Sequence, residues 1–153
     1  MACVITGCLK FGLCSAMADF LTKFERSERM SLIRSRGNID TEVALAKLLR
    51  RFHIRGWRRH QLVFGKPDFV FRQVRLAVFV DGCFWHGCPK CGHIPKTRRT
   101  YWRRKLLGNR SRDRAVNRTL HAQGWRVLRI WEHELVRKNQ EWLARRVQAA
   151  ATF

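Results

Sequence analysis

Apolar residues recur along the chain with the two periods that distinguish helices from strands. Leu45, Leu48, Leu49 and Phe52 are spaced at i, i+3, i+4 and i+7, which places them on one face of a helix. Short apolar runs between turn residues have the length of strands, and the run RLAVFV at 75–80 predicts a strand that is buried on both faces.

The same patterns predict a mixed order of helices and strands over the whole chain. In chain order, the predicted elements are helices at 20–35 and 40–52, strands at 57–64, 69–71 and 75–80, a helix at 98–122, a strand at 125–131 and a helix at 134–149. Three strands in a meander, followed by a crossover helix and a fourth strand, are typical of an α/β sandwich. We therefore predict the α/β class, with a mixed central sheet flanked by helices.

The length of 153 residues suits one compact domain with its own core. Residues 1–16 carry a single charge, Lys10, and no periodic apolar pattern, while Met17 offers a second start position. We therefore expect 1–16 to be an extension outside the core and 17–153 to form one domain. No apolar run approaches the length of about 18 residues that a membrane span needs, so we expect no membrane partner.

The net charge of the chain indicates which kind of molecule it binds. The chain has 32 Lys+Arg against 11 Asp+Glu, a formal net charge of +21, and a folded domain this basic repels itself unless a polyanion binds it. An anionic membrane surface is the alternative to nucleic acid, but that binding mode needs one basic amphipathic helix. The basic residues here are spread over several segments, most densely at 50–60 and 96–118, so we predict a nucleic-acid partner.

Because acidic residues are few, the position of each carboxylate is informative. Asp68 begins one predicted strand and Asp81 ends the next, so both can lie at the same end of the sheet. Converging carboxylates bind Mg²⁺, which holds a phosphate and activates water. Glu42, in the first turn of its helix, is a third candidate. Asp68 and Glu42 each have a structural alternative, since Pro67-Asp68 is ordinary turn chemistry and Glu42 can support the helix dipole.

Three cysteines, Cys83, Cys88 and Cys91, crowd one loop. Thiols at this spacing are typical of zinc, which takes four nitrogen or sulfur ligands in structural sites. His133, just beyond the last predicted strand, would complete a Cys₃His site and join the loop to the strand end. His93, inside the loop, is the alternative fourth ligand.

The same loop carries adjacent aromatic residues, Phe84 and Trp85, and Trp102 lies near the start of the predicted basic helix. Exposed aromatic side chains in a basic protein stack on bases or wedge between them, and the alternative is that one of them packs as a plug of the loop. His86 follows directly. It is a candidate general base, although a histidine beside cysteines is more often a metal ligand.

These motifs together resemble the very short patch repair endonucleases. The resemblance covers most of the chain, from about Arg26 to Glu141, and the block GCFWHGC at 82–88 is its most specific part. The segments that carry it are RSERM at 26–30, KPDF at 66–69, VDGCFWHGC at 80–88, PKT at 95–97, Trp102, GWRVL at 124–128 and WEH at 131–133.

The resemblance implies a restriction-endonuclease-like core with a structural zinc site. It implies a strand-specific nick 5′ to the thymine of T:G mismatches that arise when 5-methylcytosine is deaminated. The substrate would be double-stranded DNA with such a mismatch, and the cofactors would be catalytic Mg²⁺ and structural Zn²⁺. On this basis we expect a monomer in the bacterial cytoplasm, associated with the nucleoid, with a mismatch-repair protein as a candidate partner.

Residue roles also follow from the resemblance, position by position. Asp68 corresponds to the metal-binding carboxylate, His86 to the histidine that activates water, and Glu42 to its carboxylate support. The main-chain carbonyl of Val80 would complete the Mg²⁺ shell, with Asp81 as a further candidate ligand. The implied zinc ligands are Cys83, Cys88, Cys91 and His133. The implied intercalating aromatic residues are Phe84, Trp85 and Trp102.

Some positions depart from the family pattern. The best-described members have histidine where Asp81 stands, so Asp81 either adds a metal ligand or tunes the site, and Cys91 lies one step beyond a simple overlay on some members. The catalytic lysine of other nucleases with this fold would fall at Cys83, which favours histidine-assisted chemistry. Two other functions stay open: a restriction-type nuclease that cuts unmodified duplex, and a non-catalytic zinc-bearing DNA-binding module.

Overall fold

The computed structural model describes residues 39–152. The predicted extension 1–16 and the predicted helix at 20–35 lie outside this range, so both stay predictions. None of the helices within 39–152 combines the length and the apolar character that crossing a membrane requires.

A four-stranded sheet in the order β1-β2-β3-β4 forms the centre of the fold. The strands are β1 (Trp57–Arg59), β2 (Phe69–Phe71), β3 (Leu76–Asp81) and β4 (Arg126–Trp131). The first three strands are antiparallel neighbours, and β4 pairs with β3 in parallel. The predicted meander with a crossover to a fourth strand is therefore confirmed, whereas the restriction-endonuclease-like core stays a prediction.

Within residues 39–152, three α-helices accompany the sheet: α1 (Ala44–Arg51), α2 (Arg99–Ala122) and α3 (Gln140–Ala151). A π-helical turn at Ile39–Val43 precedes α1. Helix α2 is the crossover that a parallel pair of strands requires, and it leads from the end of β3 back to the start of β4. At the carboxyl end of α2, Gly124 has a φ of 75°, the left-handed conformation that glycine adopts without strain.

The core has two parts, one on each face of the sheet. The larger part joins α1 and α3 to one face, where Leu76 and Val78 of β3 are buried. The smaller part joins α2 to the other face through Ala77 and Phe79, and it includes the buried Leu120. Successive residues of β3 therefore enter opposite cores, as the continuous apolar run predicted.

Two predicted boundaries are wrong. The strand predicted at 57–64 ends at Arg59, because His60 takes a left-handed conformation with a φ of 54° and turns the chain away from the sheet. Leu62 and Phe64 are consequently exposed. The helix predicted at 134–149 begins at Gln140, because Val136 is extended and separates two short 3₁₀ turns at Glu132–Leu135 and Arg137–Asn139.

Leucines at contrasting positions provide a test of this core. Leu143 is fully buried among α1, α3 and the sheet, so Leu143→Ala leaves a cavity and should lower the free energy of unfolding by about 2–5 kcal/mol. Leu62→Ala, in the exposed turn after β1, should leave it unchanged within about 0.5 kcal/mol. Urea unfolding followed by circular dichroism measures both, and equal effects of the two substitutions would contradict the assigned core.

Candidate active site and metal centre

Carboxylates gather where β2 begins and β3 ends. Because these strands are antiparallel, Asp68, just before β2, lies beside Val80 of β3, whose backbone N–H donates to Asp68 Oδ2 at 2.7 Å. Burial raises the pKa of Asp68 to about 6, the Val80 hydrogen bond opposes this shift, and the nearby charges of Glu42 and Asp81 add to it. The structure therefore brings together Glu42, Asp68 and Asp81, which we call the acidic end.

Most of the acidic end is already neutralised by arginine. Glu42 is buried and pairs with the Nη2 of Arg59 in β1, while Asp81 is buried and pairs with Arg129 in β4. Asp68 is the member of the acidic end that forms no ion pair within residues 39–152. A half-buried carboxylate that has two acidic neighbours and forms no ion pair among the described residues is suited to binding a metal ion.

His86 lies beside the acidic end and is held by an acid that the sequence analysis did not assign to the site. Its Nδ1 is 2.7 Å from Oδ2 of Asp113 in α2 and 3.6 Å from Oδ1 of Asp81. Although burial lowers it, the pKa of His86 is raised overall by the hydrogen bond to Asp113 and by the charges of both acids. With Nδ1 occupied, Nε2 is the ring atom free to exchange a proton.

Arg129 is a second residue that the sequence analysis did not assign. Its Nε and Nη2 donate to the two oxygens of Asp81 at 2.6 and 2.9 Å, and Nη2 also donates to Asp113 Oδ1 at 2.9 Å. Its Nη1 donates to Asn117 at 3.2 Å, and the guanidinium lies 5.0 Å from the ring centre of Phe79. One signal in the sequence was available: Arg129 is a charged residue with two apolar residues on each side of it along β4.

The predicted zinc ligands also come together. One ligand atom from each of Cys83, Cys88, Cys91 and His133 lies within 4.8 Å of the others. Nδ1 of His133 is 3.3 Å from Cys83 Sγ and 3.5 Å from the sulfurs of Cys88 and Cys91. Three thiols and one imidazole this close together are a donor set of the kind that structural zinc takes. We call these residues the Cys₃His group, and they can hold a metal ion.

Of the alternative fourth ligands, the structure places His133 and not His93 in the group. The ring of His93 instead packs on Phe84, with ring centres 5.6 Å apart. Glu132, next to His133, accepts a hydrogen bond from the Cys83 backbone N–H at 3.0 Å. This bond ties the start of the loop to the end of β4 independently of any bound ion.

The aromatic residues form one cluster on the surface. The ring centre of Phe84 lies 5.1 Å from that of Trp85 and 5.2 Å from that of Trp102. The ring centres of the two tryptophans are 6.1 Å apart. Tyr101 extends the cluster, 5.3 Å from Trp102, and is exposed. Phe84, Trp85 and Trp102 are half-buried, so part of each side chain remains exposed to solvent.

Helix α2 fixes the loop that carries this cluster. Asn109 donates to the carbonyl of Trp85 at 2.8 Å, and Arg110 donates to the carbonyl of Gly87 at 3.0 Å. Together with Asp113, these residues lie on successive turns of one face of α2. The basic helix therefore orients His86 and the aromatic residues together.

Comparisons with known proteins agree on one class, the DNA endonucleases. The profile of the family described as DNA mismatch endonuclease Vsr matches residues 18–91. The chain belongs to this family, which confirms the resemblance to the very short patch repair endonucleases.

Similar proteins include nicking enzymes and a mismatch endonuclease. The type II nicking enzyme V.NaeI of Lentzea aerocolonigenes is 46% identical over 114 residues, 71% of this chain and 68% of the relative. The type II nicking enzyme V.XorIIP of Xanthomonas oryzae pv. oryzae is 40% identical over 121 residues, 78% of this chain and 88% of the relative. DNA mismatch endonuclease Vsr of Escherichia coli is 37% identical over 118 residues, 76% of this chain and 74% of the relative.

We predict that the Cys₃His group binds one zinc ion that stabilises the fold. Because metal affinity adds to folding free energy, Cys88→Ser should lose the zinc and lower the melting temperature. Cys14→Ser, a cysteine far from the group in the sequence, is the matched control and should keep both. Zinc content by atomic absorption and melting by circular dichroism measure the effects. A protein that is metal-free yet melts unchanged would rule the site out.

Proposed function

We propose that the protein is a Mg²⁺-dependent DNA endonuclease that nicks the thymine strand 5′ to the thymine of T:G mismatches. The observation that carries the proposal is the His86–Asp113 pair beside the acidic end, next to a cluster of surface aromatic residues. It combines a proton acceptor, a metal-binding carboxylate and groups that can stack on bases. The mismatch-repair name of the family and of its E. coli member supports the substrate.

Asp68 and the main-chain carbonyl of Val80 would hold the catalytic ion. The ion, when bound, would neutralise charge on the scissile phosphate and make a bound water more acidic. Asp68 fits this role because the Val80 N–H occupies Oδ2 and leaves its other oxygen available, and because Asp68 has no ion pair within the described chain. Glu42, neutralised by Arg59, supports the acidic end from the start of α1.

His86 accepts the proton of the attacking water. Its hydrogen bond to Asp113 fixes the ring orientation and leaves Nε2 as the atom that takes the proton. Asp113 then stabilises the imidazolium that forms, since the same pair raises the pKa of His86 and lowers that of Asp113. The histidine therefore works without a catalytic lysine.

The aromatic cluster gives a physical basis for mismatch preference. Wedging Phe84, Trp85 and Trp102 into a duplex requires unstacking, which costs a few kcal/mol per step. A T:G pair is already less stable than a matched pair, so the same insertion costs less there. The basic residues of α2 and of 50–60 supply phosphate contacts that do not depend on sequence.

Nicking at a fixed recognition sequence is the second candidate, because several relatives are named type II nicking enzymes. The two candidates differ in substrate and share the same chemistry. A monomer that acts in the cytoplasm, at the nucleoid, with a mismatch-repair protein as partner, accords with the proposed substrate and is part of the proposal.

We predict that Asp68 and His86 act in the chemical step. Asp68→Asn removes the metal-binding charge and His86→Ala removes the proton acceptor, so each should lower single-turnover nicking of a T:G duplex at least about 100-fold. The Kd for the duplex should stay within about threefold. The matched controls are Glu141→Gln and His121→Ala, which alter exposed residues on α3 and α2 and should nick normally. Equal loss of binding and nicking would indicate a role in folding or docking.

We predict that Trp85 contributes to discrimination more than to affinity. Trp85→Ala should lower the ratio of nicking rates on T:G and matched duplexes at least about tenfold, because the lost wedge selects for easily opened pairs. Overall affinity should change little, since phosphate contacts supply most of it. Trp142→Ala, an exposed tryptophan on α3, is the control and should leave the ratio unchanged. An unchanged ratio in Trp85→Ala would remove the aromatic cluster from mismatch recognition.

A further inference from the structure

Two carboxylates compete for one histidine nitrogen. Nδ1 of His86 is 2.7 Å from Asp113 and 3.6 Å from Asp81, and a ring N–H can make one strong hydrogen bond at a time. A modest rotation of the ring would exchange the partners. Something in the structure must therefore favour Asp113.

Arg129 contacts both competitors. Its fork donates to both oxygens of Asp81, so that the carboxylate faces the guanidinium, and Nη2 also donates to the Asp113 oxygen that His86 does not use. Asp113 is thus held between Arg129 on Oδ1 and His86 on Oδ2. Asp81 is buried, and its two oxygens are directed to the arginine.

The arginine is itself fixed on three sides. Asn117, one helical turn beyond Asp113 on α2, accepts from Nη1, and the ring of Phe79 lies 5.0 Å from the guanidinium carbon. Arg129 projects from β4, so its position is set by the sheet and not by a loop. A planar fork with several donors at fixed angles can make these bonds together, whereas the single ammonium of lysine cannot.

We propose that Arg129 is a positioning residue of the nicking reaction, which keeps Asp81 from binding the metal and from hydrogen-bonding His86, and which holds Asp113 against His86. The inference rests on the proposed role of His86. It assigns Asp81 as the partner of Arg129, in place of a role as metal ligand, and leaves Asp68 and the Val80 carbonyl as the protein ligands of the ion.

The first test compares Arg129→Met and Arg129→Lys with the wild type on a T:G duplex. Arg129→Met should lower kcat about 100-fold, as a misplaced general base does, with the KM for the duplex and the half-saturating Mg²⁺ concentration unchanged. The kcat of Arg129→Lys should lie between that of the wild type and that of Arg129→Met. The control is Arg126→Met, which alters an exposed arginine of the same strand and should keep the wild-type kcat. A wild-type kcat in Arg129→Met would overturn the inference.

The second test is a double-mutant cycle with Asp81→Asn. If Asp81 competes for His86, removing its charge should restore part of the activity, so Asp81→Asn/Arg129→Met should nick at least about fivefold faster than Arg129→Met. The half-saturating Mg²⁺ concentration of Asp81→Asn should equal that of the wild type. A rise of about tenfold or more in that concentration would make Asp81 a metal ligand and contradict the inference.

A third measurement does not depend on activity. In ¹H–¹⁵N spectra of the zinc-loaded protein, the Nδ1 resonance of His86, assigned with His86→Ala, should show a strong hydrogen bond that Arg129→Met weakens and Arg129→Lys partly keeps. Should Arg129→Met fail to fold, the double variant Asp81→Asn/Arg129→Met and the single variant Arg129→Lys are compared with the wild type in its place. An identical His86 signal in wild type and folded variants would overturn the positioning role. Absence of nicking by the wild type, with this signal changed in the variants, would contradict the proposed function alone.

Discussion

The parallel pairing of β3 with β4 is the interaction on which both candidate sites depend. In this register Asp81 lies opposite Trp131, so the loop that leaves β3 and the turn that leaves β4 begin side by side. Cys83 therefore comes close to His133, and Asp81 comes close to Arg129 of the neighbouring strand. A shift of one residue would turn these side chains to the opposite faces of the sheet and separate both pairs.

The loop after β3 is attached to the rest of the fold at two places, the end of β4 and helix α2. The Cys₃His group and Glu132 fasten it to the end of β4, while Asn109, Arg110 and Asp113 fasten it to α2. His86 and the aromatic residues lie between these attachments. A structural ion in this loop would therefore restrict the histidine and the aromatic cluster as well as stabilise the fold.

The strong positive charge of the chain also shapes the acidic end. Arginines on β1 and β4 pair with Glu42 and Asp81, and these ion pairs offset part of the repulsion between carboxylates that lie close together. Asp68 is left without such a partner within residues 39–152. The abundant arginines that favour DNA binding thus pair with Glu42 and Asp81 and leave Asp68 as the carboxylate of the acidic end that is suited to bind a metal ion.

Local sequence patterns predicted the features that depend only on residues close together in the chain. The buried strand β3, with its apolar run, and the cysteine cluster, with its short spacing, are features of this kind. The strand at 57–64 was predicted too long, since apolar residues at Leu62 and Phe64 continue the pattern although the left-handed His60 turns them into solvent.

The pairing of Asp113 and Arg129 with His86 and Asp81 could not be predicted locally. These residues lie on α2, β4 and the loop after β3, and their contacts depend on how the crossover helix packs against the sheet. The single acid in a basic helix and the arginine flanked by apolar residues in β4 were visible in the sequence. Neither pattern, however, identified its partner.

Mismatch-directed nicking is tested by mapping the cut on a T:G duplex with each strand labelled separately, with Mg²⁺ and with EDTA. We expect one Mg²⁺-dependent nick, 5′ to the mismatched thymine, with the guanine strand intact and the matched duplex cut far more slowly. Equal cutting of matched and mismatched duplexes across varied flanking sequences would contradict it and indicate a restriction-type nuclease. Tight binding without any cut would contradict it in favour of a zinc-bearing DNA-binding module.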